Sequence, residues 1–257
     1  MHQYPVSISL SSYGAELVRQ QGQLSFVEVL AAAGAQCIEW REELLTDEQP
    51  TELAQAAAQQ DLKSVFSSPL ELWVAGRAQA NAELAATLDR AQAFGSRWLK
   101  VSLGYFTDTN DLESLHALLN RHPVRLLVEN DQTLHGGRIE PLQRFFTEVE
   151  RLGLPVKMTF DIGNWQWQDQ SALTAARLLG RHVDYLHCKA VARRPDGAVP
   201  RGATDLHLWE QLLKHMTQGI TRAVEFPLQG DDLVEVTTRH IAALAILGQP
   251  RVENAHV

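Results

Sequence analysis

The chain has 257 residues, of which 31 are acidic and 23 are lysine or arginine, so its formal charge is −8 at pH 7 with histidine neutral. Hydrophobic residues make up 45% of the chain, and a chain of this length and composition can bury a large core. The negative charge argues against a nucleic-acid partner, because phosphate binding needs clustered lysine and arginine. It argues in the same way against an anionic membrane surface.

The two cysteines, Cys37 and Cys188, lie far apart in apolar runs. This usage predicts buried thiols in a reducing compartment rather than a disulfide framework. The sequence shows neither a signal-peptide pattern nor an apolar run of about 18 residues that would span a bilayer. We therefore expect a cytoplasmic protein with no membrane partner. A homo-oligomer is compatible with the sequence.

Short apolar runs rich in β-branched residues recur about every 30 residues, a spacing that accommodates a strand and a returning helix. The predicted strands are 6–10, 36–40, 63–67, 98–103, 124–129, 156–161, 183–190 and 223–227. Helical spacing is found between them, at 26–33, 78–94, 141–152, 206–216 and 233–247. Ser25 is the expected N-cap of the first of these helices.

Eight strands alternating with helices predict an α/β fold, a (β/α)₈ TIM barrel that forms a single domain over residues 1–257. An open doubly wound sheet is the competing fold, but the βα turns lack a glycine-rich dinucleotide-binding motif. The active site of such a barrel lies at the carboxyl ends of its strands. The stretch 193–204 is the most loop-like segment and follows the seventh strand, where we expect an active-site loop.

Ionisable residues stand at the carboxyl ends of four consecutive predicted strands: Glu129, Asp161, His187 and Glu225. Alone, each is typical of a cap, an ion pair or a buried core histidine. Together, on converging strands, three carboxylates would repel one another strongly without a cation. Three carboxylates and an imidazole suit one divalent metal ion, with Mn²⁺ or Mg²⁺ favoured and Zn²⁺ or Co²⁺ left open.

Two further charged residues are candidates for contacting a substrate. Lys189 lies two residues after His187 and so shares its face of the strand. It would either hold a substrate oxygen or neutralise excess negative charge. Glu39 ends the second predicted strand, and an ion pair with Arg41 is the alternative role for it.

Trp165 and Trp167 follow the sixth strand end and are candidates for an aromatic wall against a sugar, with simple loop packing as the alternative. Asp205 and His207 have the spacing of a metal pair, but they open a predicted helix. Helix capping is therefore the expected role of Asp205.

The ends of the last four strands read VEN, FDIGN, HCK and VEF, and the second strand lies in GAQCIEWREELL. In order and spacing, these motifs resemble the xylose isomerase-like TIM barrels, and the resemblance covers nearly the whole chain. That group contains sugar and sugar-phosphate isomerases and epimerases. Its relatives include tagatose 3-epimerase, hydroxypyruvate isomerase, inosose dehydratase and AP endonucleases.

The resemblance implies a role for each matching residue. Glu129 and Glu225 would be metal ligands and the acid/base residues. Asp161 and His187 would be metal ligands. Arg193, six residues after the histidine, would bind the substrate.

The chain departs from these relatives at two places. Asn164 stands where epimerases and endonucleases commonly have a histidine, and it would hydrogen-bond a substrate hydroxyl. The third and fourth strands end in FSSP and SLGY and supply no histidine for a multi-metal cluster. Together with the acidic charge, this argues against DNA cleavage.

The sequence therefore predicts a divalent-metal-dependent isomerase or epimerase of a small sugar or hydroxy-ketone. A carboxylate would move a proton next to a carbonyl, through a metal-bound enediolate. A dehydratase that uses the same metal site is the alternative. A non-catalytic sugar-binding barrel is a third, less favoured one, because such a barrel has no need of two opposed carboxylates.

Overall fold

The computed structural model describes residues 4–194, 197–201 and 206–249, with the backbone alone described at 192–194 and 197–201. Eight parallel strands close into a barrel, which confirms the predicted α/β TIM-barrel class. In chain order they are β1 (Val6–Ser9), β2 (Cys37–Arg41), β3 (Lys63–Trp73), β4 (Trp98–Gly104), β5 (Arg125–Glu129), β6 (Val156–Asp161), β7 (Val183–Cys188) and, after a hairpin, β10 (Thr221–Val224). Each strand pairs with its neighbours in chain order, and β10 closes the barrel by pairing with both β7 and β1.

Helices connect the strands and cover the outside of the barrel. They are α1 (Ala15–Gln21), α2 (Val27–Ala32), α3 (Pro50–Gln59), α4 (Leu84–Ala93), α5 (Leu112–Leu119), α6 (Ile139–Leu152), α7 (Ala172–Leu179), α8 (Leu206–Leu213) and α9 (Leu233–Ile246). In α6 the buried residues Leu142, Phe145, Phe146 and Val149 have the spacing of one helical face. That face packs on the sheet, which is the usual origin of helix stability in this architecture.

The segment 193–204, predicted as a loop, instead contains much of an antiparallel hairpin. Its strands are β8 (Ala190–Arg194) and β9 (Gly197–Arg201). The prediction was wrong because arginine, glycine and proline are weak strand formers, so the pairing of the two arms had no local signal. The hairpin begins directly after Lys189 and therefore rises from the carboxyl end of β7.

Two predicted helix starts are also corrected. The helix predicted from residue 78 begins only at Leu84, because Asn81 holds the preceding segment against β3 by donating to the Glu71 carbonyl at 2.9 Å. Ser25 caps no helix: it lies in a 3₁₀ turn (Gln23–Phe26) and its hydroxyl donates to the Gly22 carbonyl at 2.8 Å.

The inside of the barrel contains a small apolar cluster, separate from the core between barrel and helices, formed by Cys37, Val65, Leu127, Tyr185 and Ala223. Side chains two residues apart on a strand point to the same side. The next inward side chain on each strand therefore belongs to the residue two positions closer to the carboxyl end. On four of these five strands it is ionisable, namely Glu39, Glu129, His187 and Glu225. Strand alternation alone thus places an ionisable layer on top of the apolar one.

Among the residues that the structure describes, none of the helices combines the length and the apolar character needed to span a lipid bilayer.

A close backbone approach at the end of β4 gives a testable prediction. Gly104 has φ +69°, and a Cβ there would overlap the Trp73 carbonyl oxygen and lie 2.9 Å from Glu71 Cβ. We expect Gly104→Ala to lower the free energy of unfolding by roughly 2–5 kcal/mol, the sum of left-handed strain and overpacking.

Gly153 provides the matched control, with φ +64° and no atom within 4 Å of its virtual Cβ. Gly153→Ala should cost only about 1–2 kcal/mol, the strain alone. Urea denaturation monitored by tryptophan fluorescence measures both. Equal losses of unfolding free energy in the two variants would contradict the close contact between Gly104 and β3.

Candidate active site

The structure brings the four strand-end residues into one cluster at the carboxyl end of the barrel. Ligand atoms of Glu129, Asp161, His187 and Glu225 all lie within 4.8 Å of one another. The Nδ1 atom of His187 faces the three carboxylates, at 2.8 Å from Glu129, 3.0 Å from Glu225 and 3.7 Å from Asp161. We call these four residues the carboxylate–histidine cluster.

Two atoms of this cluster show that a cation fits it. His187 Nδ1 and Asp161 Oδ2 are buried, and neither makes a hydrogen bond of ordinary geometry, although the Lys189 ammonium lies 2.7 Å from Asp161 Oδ2. Buried polar atoms without partners are costly, above all when they face carboxylates. A proton or a metal ion among these oxygens removes that cost. Three carboxylates and an imidazole nitrogen form a donor set suited to a divalent ion, so the cluster could hold one.

Three basic side chains surround the cluster. Lys100 Nζ lies 2.5 Å from Glu129 Oε2. Arg41 Nη1 lies 2.9 Å from Glu225 Oε1. Lys189 Nζ lies 2.7 Å from Asp161 Oδ2 and 2.8 Å from Glu225 Oε2. Each carboxylate of the cluster is thereby paired with at least one permanent cation.

Nearby positive charge outweighs burial at the two glutamates of the cluster, whereas at Asp161 burial outweighs Lys189 and raises the pKa. Burial alone would raise the pKa of Glu129 and of Glu225, but Lys100 and His187 lower it at Glu129, while His187 and Lys189 lower it at Glu225. Burial alone would lower the pKa of His187, yet Glu225, Glu39 and Glu129 raise it well above its usual value. Both glutamates are therefore carboxylates at neutral pH, and without a bound metal ion His187 carries the balancing proton.

Lys100 was missed from the sequence. It interrupts the apolar run WLKVSLG of β4, and a lysine inside a buried strand is the signal that could have indicated it. Its side chain points inward and is almost fully buried. The strand pairing places Ser102, two residues later, level with Glu129.

Glu39 lies beneath the cluster and does not reach an open surface. It is completely buried, and its Oε2 lies 2.8 Å from Nε2 of His187. Its Oε1 lies 3.0 Å from Arg41, so the ion pair weighed as an alternative role for Glu39 is present.

The loop after β6 fixes Asp161. The backbone amides of Gly163 and Asn164 both donate to Asp161 Oδ1 at 2.9 Å, which leaves Oδ2 directed at the cluster. A Cβ on Gly163 would lie 2.7 Å from Lys189 Cγ, so this loop contacts the chain that leads into the hairpin.

Asn164 is buried, and its amide is engaged within the protein. Its Nδ2 donates to the Asn130 carbonyl at 2.9 Å, and its Oδ1 accepts from Gln132 at 3.4 Å. The structure thus places Asn164 as a link between the ends of β5 and β6. Its contact with a substrate hydroxyl stays a prediction that would require these bonds to exchange.

The two tryptophans after β6 have different environments. Trp165 is completely buried and packs on Phe160, with ring centroids 5.3 Å apart, so it does not line an open wall. Trp167 is 37% exposed. The side chain of Arg193 and all of Asp205 lie outside the described part of the structure, so their predicted roles stay predictions.

Comparisons with solved structures give the same architecture at low sequence identity. A xylose isomerase domain-containing protein from Salmonella typhimurium has a TM-score of 0.70 and 15% identity over 95% of this chain and 99% of its own. D-psicose 3-epimerase from Clostridium cellulolyticum, solved with D-tagatose, has 0.67 and 13% over 96% and 100%. A probable 3-DHS dehydratase of petrobactin synthesis from Bacillus anthracis has 0.66 and 14% over 93% and 98%.

No curated protein matches the chain significantly. A family model does: the one described as xylose isomerase-like TIM barrel matches residues 27–244, which is well over half of the sequence. Together with the closed eight-stranded barrel, this match confirms the resemblance found in the strand-end motifs. The chain belongs to the xylose isomerase-like TIM barrel family.

Proposed function

We propose that the protein is a divalent-metal-dependent isomerase or epimerase that acts on a small sugar or hydroxy-ketone. The observation that carries this proposal is the carboxylate–histidine cluster, in which the buried Nδ1 atom of His187 faces three carboxylates and makes no hydrogen bond of ordinary geometry. Family membership and the shared fold with a D-psicose 3-epimerase support the same activity. Glu129, Asp161, His187 and Glu225 are the proposed metal ligands, and Mn²⁺ or Mg²⁺ suits their oxygen-rich donor set.

A bound divalent cation would act as a Lewis acid that polarises the substrate carbonyl and acidifies the neighbouring carbon. Glu129 and Glu225 are the proposed acid/base residues. Because β6 and β7 separate β5 from β10, these two carboxylates approach the cluster from different sides. One removes a proton next to the carbonyl, and the same or the other carboxylate returns it. Return to the neighbouring carbon gives isomerisation, and return to the opposite face gives epimerisation.

The two glutamates are held in similar ways. One oxygen of each is paired with a cation, Lys100 for Glu129 and Arg41 for Glu225. The other oxygen faces Nδ1 of His187, and in Glu225 it also lies 2.8 Å from Lys189 Nζ. The cations orient the carboxylates and keep them ionised, so that each can accept a proton. Lys189, held between Asp161 and Glu225, is the proposed partner of a substrate oxygen.

A deuterium-exchange experiment tests the reaction type. The protein is stripped with EDTA, reloaded with Mn²⁺ and incubated in D₂O with aldoses, ketoses and hydroxy-ketones. Isomerase or epimerase activity replaces a carbon-bound hydrogen of the substrate with deuterium and releases no water, and EDTA abolishes this exchange. Loss of water would identify a dehydratase instead. No exchange across the panel would refute the proposal and favour a non-catalytic binding barrel.

Removal of one proposed base is the first mutational prediction. Glu225→Gln should lower turnover by at least about 100-fold, because the amide cannot accept a proton, and should weaken Mn²⁺ binding. The barrel should remain folded by circular dichroism. Glu235→Gln, at an exposed position in α9, is the control and should behave as the unaltered protein. Full activity in Glu225→Gln would remove this residue from the mechanism.

The second prediction concerns Lys100. Its ammonium lowers the pKa of Glu129 against the effect of burial. In Lys100→Met this positive charge is absent, so burial raises the pKa of Glu129. Glu129 is then protonated, and inactive as a base, at a higher pH than in the unaltered protein. The acidic limb of the kcat/KM–pH profile should therefore move to higher pH.

Lys157→Met is the matched control, because Lys157 is an exposed lysine of β6. Its profile should coincide with that of the unaltered protein. An acidic limb that stays in place in Lys100→Met would show that Glu129 ionisation does not limit activity.

A further inference from the structure

We propose that Glu39 is a positioning residue for the metal centre, which holds the His187 ring so that its Nδ1 atom faces the three carboxylates. The inference rests on the proposed function in one respect, that His187 is taken as a metal ligand. It assigns Glu39 a role different from the substrate contact predicted from the sequence.

The hydrogen bond between Glu39 and His187 sets the direction of the imidazole. Glu39 Oε2 lies 2.8 Å from His187 Nε2, and a carboxylate can only accept there. Nε2 must therefore carry a hydrogen. In a neutral imidazole the lone pair is then on Nδ1, the atom that lies within 3.0 Å of both Glu129 and Glu225. A histidine that binds a metal needs this tautomer and this ring orientation.

Glu39 is itself held from both sides. The Tyr185 hydroxyl donates to Glu39 Oε2 at 2.9 Å and lies 2.8 Å from Ser7 Oγ. On the other side, Arg41 Nη1 donates to Glu39 Oε1 at 3.0 Å. Residues of β1, β2 and β7 thus anchor one carboxylate, and its position is defined by the barrel rather than by a loop.

The burial of Glu39 argues for a role beyond simple packing. A fully buried carboxylate is expensive unless its neighbours compensate for lost hydration. Two cations supply that compensation, because Arg41 Nη1 lies 3.0 Å and Lys100 Nζ 4.0 Å from Glu39 Oε1. A carboxylate acceptor increases the basicity of the histidine nitrogen on the far side of the ring.

The test compares Glu39→Gln with a matched control, Glu43→Gln. Both substitutions remove a carboxylate that pairs with Arg41, but Glu39 is the one in contact with His187. Mn²⁺ affinity is measured from the EPR signal of free Mn²⁺. We expect Glu39→Gln to weaken binding 10–100-fold, as is usual when the partner of a ligating histidine is lost. Glu43→Gln should stay within about twofold, since a partly exposed pair contributes little.

A spectroscopic measurement separates positioning from a general loss of negative charge. In the Zn²⁺-loaded, ¹⁵N-histidine-labelled protein, His187 should show a proton on Nε2 and metal on Nδ1. Glu39→Gln should give a mixture of tautomers, while Glu43→Gln should retain the single one. Tyr185→Phe, which removes the donor to Glu39, should weaken Mn²⁺ binding several-fold and decides the matter if Glu39→Gln does not fold.

Unchanged Mn²⁺ affinity and an unchanged His187 tautomer in Glu39→Gln would overturn the inference. Equal losses of affinity in Glu39→Gln and Glu43→Gln, with the tautomer retained in both, would also overturn it, because charge alone would then explain the effect. Mn²⁺ binding that depends on Glu39 in a protein without sugar exchange would support the inference and refute the isomerase proposal. Failure of the unaltered protein to bind either ion would overturn both.

Discussion

Mutual repulsion among buried carboxylates is the interaction on which the rest of this site depends. Four acidic side chains lie in the barrel, at Glu39, Glu129, Asp161 and Glu225. In a medium less polar than water, they tolerate one another only if positive charge lies among them. Arg41, Lys100 and Lys189 supply part of that charge, and the imidazolium of His187 supplies the rest when no metal ion is bound. The protein thus maintains a cluster that is close to electroneutral and that could exchange a proton for a divalent ion.

The barrel is suited to this because it separates the packing of apolar side chains from the chemistry. The large core lies between the strands and the helices, and within the described residues the apolar cluster inside the barrel comprises five buried residues and the partly buried Trp98. Charged side chains can therefore occupy the inward positions above that cluster without interrupting the main core. The backbones of Glu39, Glu129 and His187 are held by parallel strand pairing on both sides, which limits how far these side chains can move.

The strand ends were predictable because local sequence carries the necessary signal. Glu129 and Asp161 each terminate an apolar run, and a parallel barrel requires such ends to converge. It was harder to infer which side chains of a strand point into the barrel, since most of the strands are apolar on both faces. Lys100 was therefore missed, and Glu39 was assigned to the substrate although its carboxylate lies against His187. Long-range contacts of this kind depend on strand register, which a single sequence does not reveal.

The irregular segments between strands were predicted least well, for a related reason. The hairpin that follows Lys189 is stabilised by pairing between its own arms, whereas its composition is typical of a loop. Asn81 delays the start of a helix through one bond to a distant strand. In both cases a tertiary or pairing interaction outweighed local preference.

Because residue 163 is a glycine, the turn after β6 can approach the base of the hairpin closely, and this contact has a mechanical consequence. The Gly163 backbone amide is bonded to Asp161, while its α-carbon lies so near the Lys189 stem that no methyl group would fit between them. The turn after β6 and the base of the hairpin are therefore in direct contact. Lys189 also reaches Asp161 directly, so the base of the hairpin and this carboxylate are connected both by the turn and by an ion pair, and neither can shift without the other.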